Sequence, residues 1–165
     1  MDPKDRSLEE LQAEIDNDPE IQRHRAEKGE RWRRRMEQIQ NAQQPVLKRL
    51  ADVGISVEEV SDLFNKYERT PDAAVPVIFE SLQTCEEDRI LEMLVRALGG
   101  ARVPIDGRPL IELYKKTWSE GLRFAILNTI AIVKPHSIAE WLAEARQNPH
   151  LYKTLKKLGY RWGSK

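Results

Sequence analysis

The chain has 165 residues, and its 27 lysines and arginines balance 27 aspartates and glutamates to formal neutrality. That length suits a single domain burying roughly two-thirds of the surface its unfolded chain exposes, and neutrality departs from the basic composition usual for a nucleic-acid binder. A lone cysteine, Cys85, excludes an intramolecular disulfide and fits a reducing, cytoplasmic setting, while no apolar run has the length of a signal peptide or a membrane span, so no membrane partner is expected.

Helix formers dominate, glycine is scarce, and the nine prolines sit mostly at segment starts, which predicts an all-α protein. Charge is unevenly placed. Residues 1–20 hold eight acids against Lys4 and Arg6, residues 21–44 hold seven basic side chains against Glu27, Glu30 and Glu37, and residues 150–165 hold five basic side chains and no acid. Asymmetry of this kind implies that the ends meet something the middle does not, or meet each other.

In chain order, Ser7 to Glu10 has the form of a capping box, and Leu8, Leu11 and Ile15 make a short apolar stripe on an acidic helix. Asp18-Pro19 ends it, and Pro19 opens the next helix, expected to reach about Gln43. Along that helix Arg23, Arg25, Lys28, Arg31, Arg33, Arg34 and Arg35 surround the axis, while Trp32, Met36 and Ile39 share one face. An arginine cluster beside a tryptophan is suited to phosphate and base stacking. The competing expectation is a solvated helix with Glu27–Arg31 and Glu30–Arg34 pairs, its residual charge facing the acidic first helix. Trp32 and its stripe also suggest pairing with a second copy.

Pro45 is expected to begin a helix that stops at Gly54, and Ser56 to Glu59 to cap another carrying Val57, Val60, Leu63, Phe64 and Tyr67. Thr70-Pro71-Asp72 turns into two further units. Val75 to Leu82 and Ile90 to Leu98 form one helical pair closed by Gly99-Gly100; Leu110 to Tyr114 and Leu122 to Val133 form the other. The loop between them holds Val103 and Ile105, expected to pack inward. Leu122 to Val133 is apolar on nearly every side and is expected to be the most buried element. Ser137 to Ala145 is expected to cover it, ended by Asn148-Pro149, before a last helix with Leu151, Leu155 and Leu158 on one face. Residues 160–165 are expected to fray.

The two central units repeat at a spacing of 34 residues: Arg89 falls on Arg123 and Ala97 on Ala131. Together with the polar breaks Thr84 to Asp88 and Trp118 to Gly121, and the ending Ala97-Leu98-Gly99, this resembles the HEAT (armadillo-type) helical repeats. The second unit lacks the closing glycine, and a non-repetitive helical bundle obeys the same packing rules. The resemblance implies a short helical-hairpin solenoid over residues 45–159, with a charged helical extension over 1–44, acting as a binding scaffold.

No catalytic, metal-binding or cofactor motif emerges. His24, His136 and His150 lie in different elements without ligand spacing, and Cys85 sits among Glu86, Glu87 and Asp88, which disfavour its thiolate. DNA glycosylases built from HEAT-like repeats hold DNA in a basic groove, whereas residues 45–149 here carry 13 basic and 16 acidic side chains. The expected function is therefore non-enzymatic protein binding, as an adaptor, an assembly factor or an inhibitor of the immunity type. The second helix of each pair supplies the candidate contacts: Glu58, Glu59 and Asp62, then Glu87, Glu92 and Arg96, then Arg123 and Asn128. The alternative is nucleic-acid binding through Arg23 to Arg35, Trp32 included, and the basic C-terminus.

Overall fold

The computed structural model describes residues 7–162, the side chains of Glu10 and Leu11 excepted. These residues are helical in nine segments, without a strand among them, and fall into two compact units that divide between Gln40 and Asn41. No helix among the described residues is long and apolar enough to cross a membrane.

The N-terminal unit contains α1 (Leu8–Asn17) and the first part of α2 (Pro19–Asp52). Asp18 separates them by local chemistry. Its carboxylate accepts from the N–H groups of Glu20 at 2.8 Å and Ile21 at 3.3 Å, and Pro19 occupies the first helical position, where a missing N–H costs nothing. Arg25 reaches back to Asp16 at 2.6 Å, and the Gln22 amide donates to the Asp16 carbonyl at 2.6 Å, so the arginine-bearing helix is tied to the acidic one. The guanidinium of Arg25, then the Gln12 amide, hold the Asp16 carboxyl below its usual range.

Where a new helix was expected at Pro45, α2 continues without interruption to Asp52. Proline removes one helical hydrogen bond, but Gln43, Val46 and Leu50 are buried on the inward face of the second unit, and this packing outweighs the lost bond. Gly54, at φ +82°, ends the helix, with Ile55 donating to the Leu50 carbonyl at 2.9 Å. Gly159 repeats the device at φ +87°, with Tyr160 donating to Leu155 at 2.9 Å.

The helix expected over residues 57–67 shrinks to α3 (Asp62–Asn65), preceded by turns. Two side chains impose this. Buried Gln43 accepts from the Val60 N–H at 3.1 Å, and the Asp62 carboxylate takes the N–H groups of Glu58 at 2.9 Å and Glu59 at 3.3 Å.

The remaining helices are α4 (Ala74–Thr84), α5 (Asp88–Leu98), α6 (Arg108–Lys116), α7 (Glu120–Val133), α8 (Ala139–Gln147) and α9 (Pro149–Lys157). In the second unit α5 packs on α4, α3 and most extensively α7; α6 packs on α7 and α4; α9 packs on α8 and α7. Trp141 of α8 stands edge-on to Tyr114 of α6, with ring centroids 6.0 Å apart. The element covering α7 on its C-terminal side is thus α9, which brings fully buried Leu155, while α8 lies beside α6. Asn148 caps α9 through the N–H groups of His150 at 3.0 Å and Leu151 at 3.1 Å, with Pro149 in the first turn, as Asp18-Pro19 does for α2. Arg49 of α2 donates to the Thr84 hydroxyl of α4 at 3.2 Å.

Two connections are held closely. Thr70 donates its hydroxyl to the Ala97 carbonyl and its N–H to Gly100 at 3.3 Å; a Cβ on Gly100 would stand 2.9 Å from the Thr70 hydroxyl. Between the loops that precede α6 and α8, Gly107 donates to the His136 carbonyl and His136 to Ile105, each at 3.0 Å, and Ile105 packs inward. At the C-terminus Trp162 packs against Tyr152 and Tyr160, with centroids 5.3 and 5.0 Å apart; residues 163–165 of the expected frayed tail lie outside the described residues.

Candidate protein-binding face

α5 begins with Glu87 as its N-cap, the carboxylate accepting from Arg89 N–H at 3.2 Å, and buries Ile90, Leu91, Leu94, Val95, Ala97 and Leu98. That spacing turns Arg89 and Arg96 outward, with Glu92 between them. Glu92, only 12 % exposed, is gripped by Arg89 at 3.3 Å and Arg96 at 2.6 Å. Two cations thus share one carboxylate, and with exposed Asp88 in its first turn α5 carries two cations and two acids in all.

α7 is capped by Ser119, whose hydroxyl accepts from Leu122 N–H at 3.3 Å. It buries Leu122, Ala125, Ile126, Leu127, Thr129, Ile130 and Ala131, in keeping with the expected deep burial. Its apolar character does not end there. Phe124 is 52 % and Ile132 55 % exposed, and partly exposed Asn128 lies between them, so a stripe at i, i+4 and i+8 faces outward. Trp118, in the preceding turn, is 89 % exposed. Arg123 donates to the Thr117 carbonyl at 2.8 Å and lies 5.4 Å from the Tyr114 ring and 5.6 Å from that of Trp118. Cation–π contacts at such partly open sites contribute about 0.5–1 kcal/mol each, so Arg123 steadies Trp118 in position while leaving most of the indole accessible. In α3, Phe64 joins Glu59, Arg89, Met93 and Arg96 around a shallow depression.

The predicted contact residues therefore separate. Glu92, Arg96 and Asn128 lie on the outer surface of α5 and α7, and Glu59 lines the depression together with Arg96. Glu58 is exposed, 3.7 Å from Lys66. Asp62 is only 4 % exposed and belongs to the framework: the Lys66 ammonium at 2.9 Å, opposed by burial and aided by the two N–H donors, holds its carboxyl below the usual range. Glu87 serves α5 as its cap, and Arg123 serves the aromatic turn. Arg89 bonds within its own helix and Arg123 to the turn before α7.

Trp118, Phe124, Ile132 and Phe64 were not singled out from the sequence as contacts. The readable signal was α7 itself: a helix apolar all round needs neighbours all round, and here one side lacks them.

In the N-terminal unit Arg34 pairs with Glu30 and Arg25 with Asp16. Arg23, Lys28, Arg31, Arg33 and Arg35 are exposed, and Trp32 is 63 % exposed.

Cys85 lines an open cleft with Asp106, Arg108 and Glu112; burial raises its thiol pKa, opposed by the contact with the Glu87 carbonyl and aided by the negative charges of Glu87, Glu86 and Asp88. That is the setting of a weak nucleophile. Among the described residues no three His, Cys, Asp or Glu side chains gather where they could hold a metal ion.

Comparison with models of protein families, with curated proteins and with solved structures gives no match. The functional reading therefore stands on residues and geometry.

Proposed function

We propose that residues 41–165 form a non-enzymatic, protein-binding module arranged as a short HEAT-like stack, in which α3, α5, α7 and α9 make one row and α4, α6 and α8 the other. The pairwise packing of α4 with α5, α6 with α7 and α8 with α9 supports this arrangement, as does packing along the rows. The Thr129 hydroxyl also bonds the Val95 carbonyl across 34 residues, the same spacing that relates Arg89 to Arg123.

The observation that carries the binding reading is the outward stripe of α7. An otherwise buried helix exposes Phe124 and Ile132, and the turn before it holds an almost fully exposed tryptophan against Arg123. Aromatic residues and arginine are the side chains that dominate binding energy in protein interfaces. The test is photo-crosslinking in the source cell from positions 124 and 128, with exposed Gln83 of α4 as control. Discrete adducts from the first two alone support the reading; equal or absent labelling at all three refutes it.

A second reading is favoured by one observation, the exposure of Trp32 amid Arg23, Lys28, Arg31, Arg33 and Arg35. This surface suits nucleic-acid phosphate and stacking. Salt-sensitive retardation of generic duplex DNA or RNA, abolished by neutralising these side chains, would establish it.

A further inference from the structure

We infer that the groove between α6 and α8 is a second recognition site, separate from the α7 stripe, for an extended segment of a partner protein that carries arginines at alternate positions. The groove encloses about 540 Å³ and lies wholly within the second unit. Its floor is apolar, made by buried Ile111 of α6, Ile138, and Trp141 of α8. Its rims are charged: Glu140 and Glu144 on the α8 side, Arg108, Glu112 and Lys115 on the α6 side. Arg108 is already committed, its Nε donating to the Asp106 carboxylate at 2.9 Å. None of the other four makes an ion pair with a described residue, so three carboxylates without a cation share the groove with one ammonium without an anion. The remaining charge of α8, Arg146, lines a different hollow with Tyr160 and Trp162.

The occupant follows from that chemistry. Like charges four residues apart on a helix repel each other, and cations brought to Glu140 and Glu144 relieve the repulsion. The floor selects a cation with an apolar stem and a flat head. Arginine lays its methylene groups on aliphatic side chains and stacks its guanidinium on an indole, while its fork of N–H groups donates to a carboxylate. Spacing selects the arrangement. Glu140 and Glu144 stand about 6 Å apart along the helix axis, and side chains two positions apart on an extended chain project to the same side at about 6.6 Å. Two alternate arginines therefore meet both glutamates, whereas an acidic segment would meet repulsion.

Isothermal titration of the full chain with three acetylated, amidated heptapeptides tests this. One carries arginine at alternate positions with serine between; the others carry citrulline or glutamate in place of arginine. Only the arginine peptide should bind. Glu140→Gln together with Glu144→Gln should raise its dissociation constant by at least about tenfold, with helical content unchanged by circular dichroism. Glu68→Gln together with Glu80→Gln, at exposed positions outside the groove, should leave it unaltered. Glu140→Lys together with Glu144→Lys should transfer binding to the glutamate peptide. No binding of the arginine peptide, equal binding of the citrulline peptide, or affinity that ignores the changes at 140 and 144 overturns the inference. Crosslinking from positions 124 and 128 reads a different helix, so the groove and the α7 surface fail separately.

Discussion

Replacing Thr129 with valine tests whether α5 and α7 are joined by a hydrogen bond that the end of α5 cannot otherwise supply. A helix leaves its last four carbonyls without intrahelical donors. In α5 three of these are answered locally: Gly99 donates to Arg96 at 3.0 Å, Gly100 to Ala97 at 3.0 Å and Ala101 to Leu98 at 3.1 Å. Tightening the last turn in this way draws Gly99 away from the Val95 carbonyl. The Thr129 hydroxyl reaches that carbonyl at 2.8 Å, in a place where Thr129 is 1 % and Val95 0 % exposed. Valine keeps the volume and leaves a buried acceptor unpaired, at a cost of about 1–3 kcal/mol. For a unit of this size that corresponds to a fall in Tm of about 4–12 °C. Thr129→Ser keeps the donor and loses one methyl group, about 0.8 kcal/mol, so urea titrations should rank wild type above serine and serine above valine. A valine variant as stable as the wild type would refute the claim that Val95 depends on α7 for its partner.

Three further outcomes follow from the same geometry. Asp62→Asn should lower the urea midpoint at neutral pH. Because the carboxyl of Asp62 is held below its ordinary range, its contribution is complete above that range and fades as pH falls through the folded-state value. The wild-type and Asp62→Asn chains should therefore converge in acid, and a difference that persists below about pH 2 contradicts the assignment. Gly107→Ala places a Cβ 2.5 Å from Ile138 Cγ2 and 3.0 Å from Pro135 Cγ, which should cost about 1–3 kcal/mol in a denaturant titration; an unchanged midpoint would show that the two loops yield freely. Pro45→Ala should restore a donor within α2 and raise stability by about 1–2 kcal/mol in thermal melts followed at 222 nm. Loss of helical signal there would mean that proline is needed to shape the helix.

Helix ends were legible in the sequence wherever the chemistry that makes them is local. Asp18-Pro19, Asn148-Pro149 and Gly54 each combine a cap or a left-handed glycine with the adjacent residue, and each ends or begins a helix as read. Reading failed where a distant group decides. Pro45 looked like a start because only tertiary burial of Gln43, Val46 and Leu50 carries the helix through it. Ser56 looked like a cap because Asp62, later in the chain, takes the N–H groups that a capping box would have ordered differently. At the candidate surface, α7's burial was readable from its composition, but which side would lack a neighbour was not; that depends on α9 rather than α8 lying alongside it. Arg123 lies against two rings, Tyr114 and Trp118, that were already nearby in sequence.

The paired amides of Gly107 and His136 tie two loops that stand 29 positions apart, across the whole of α6 and α7. Such a clasp cannot shut until the intervening hairpin has folded, so it belongs to the late stages of assembly. Loop amides commonly exchange with solvent through small local fluctuations, but these two should exchange only when the hairpin itself comes apart. They would therefore report on the integrity of the entire unit from positions that look, by secondary structure alone, like its loosest links.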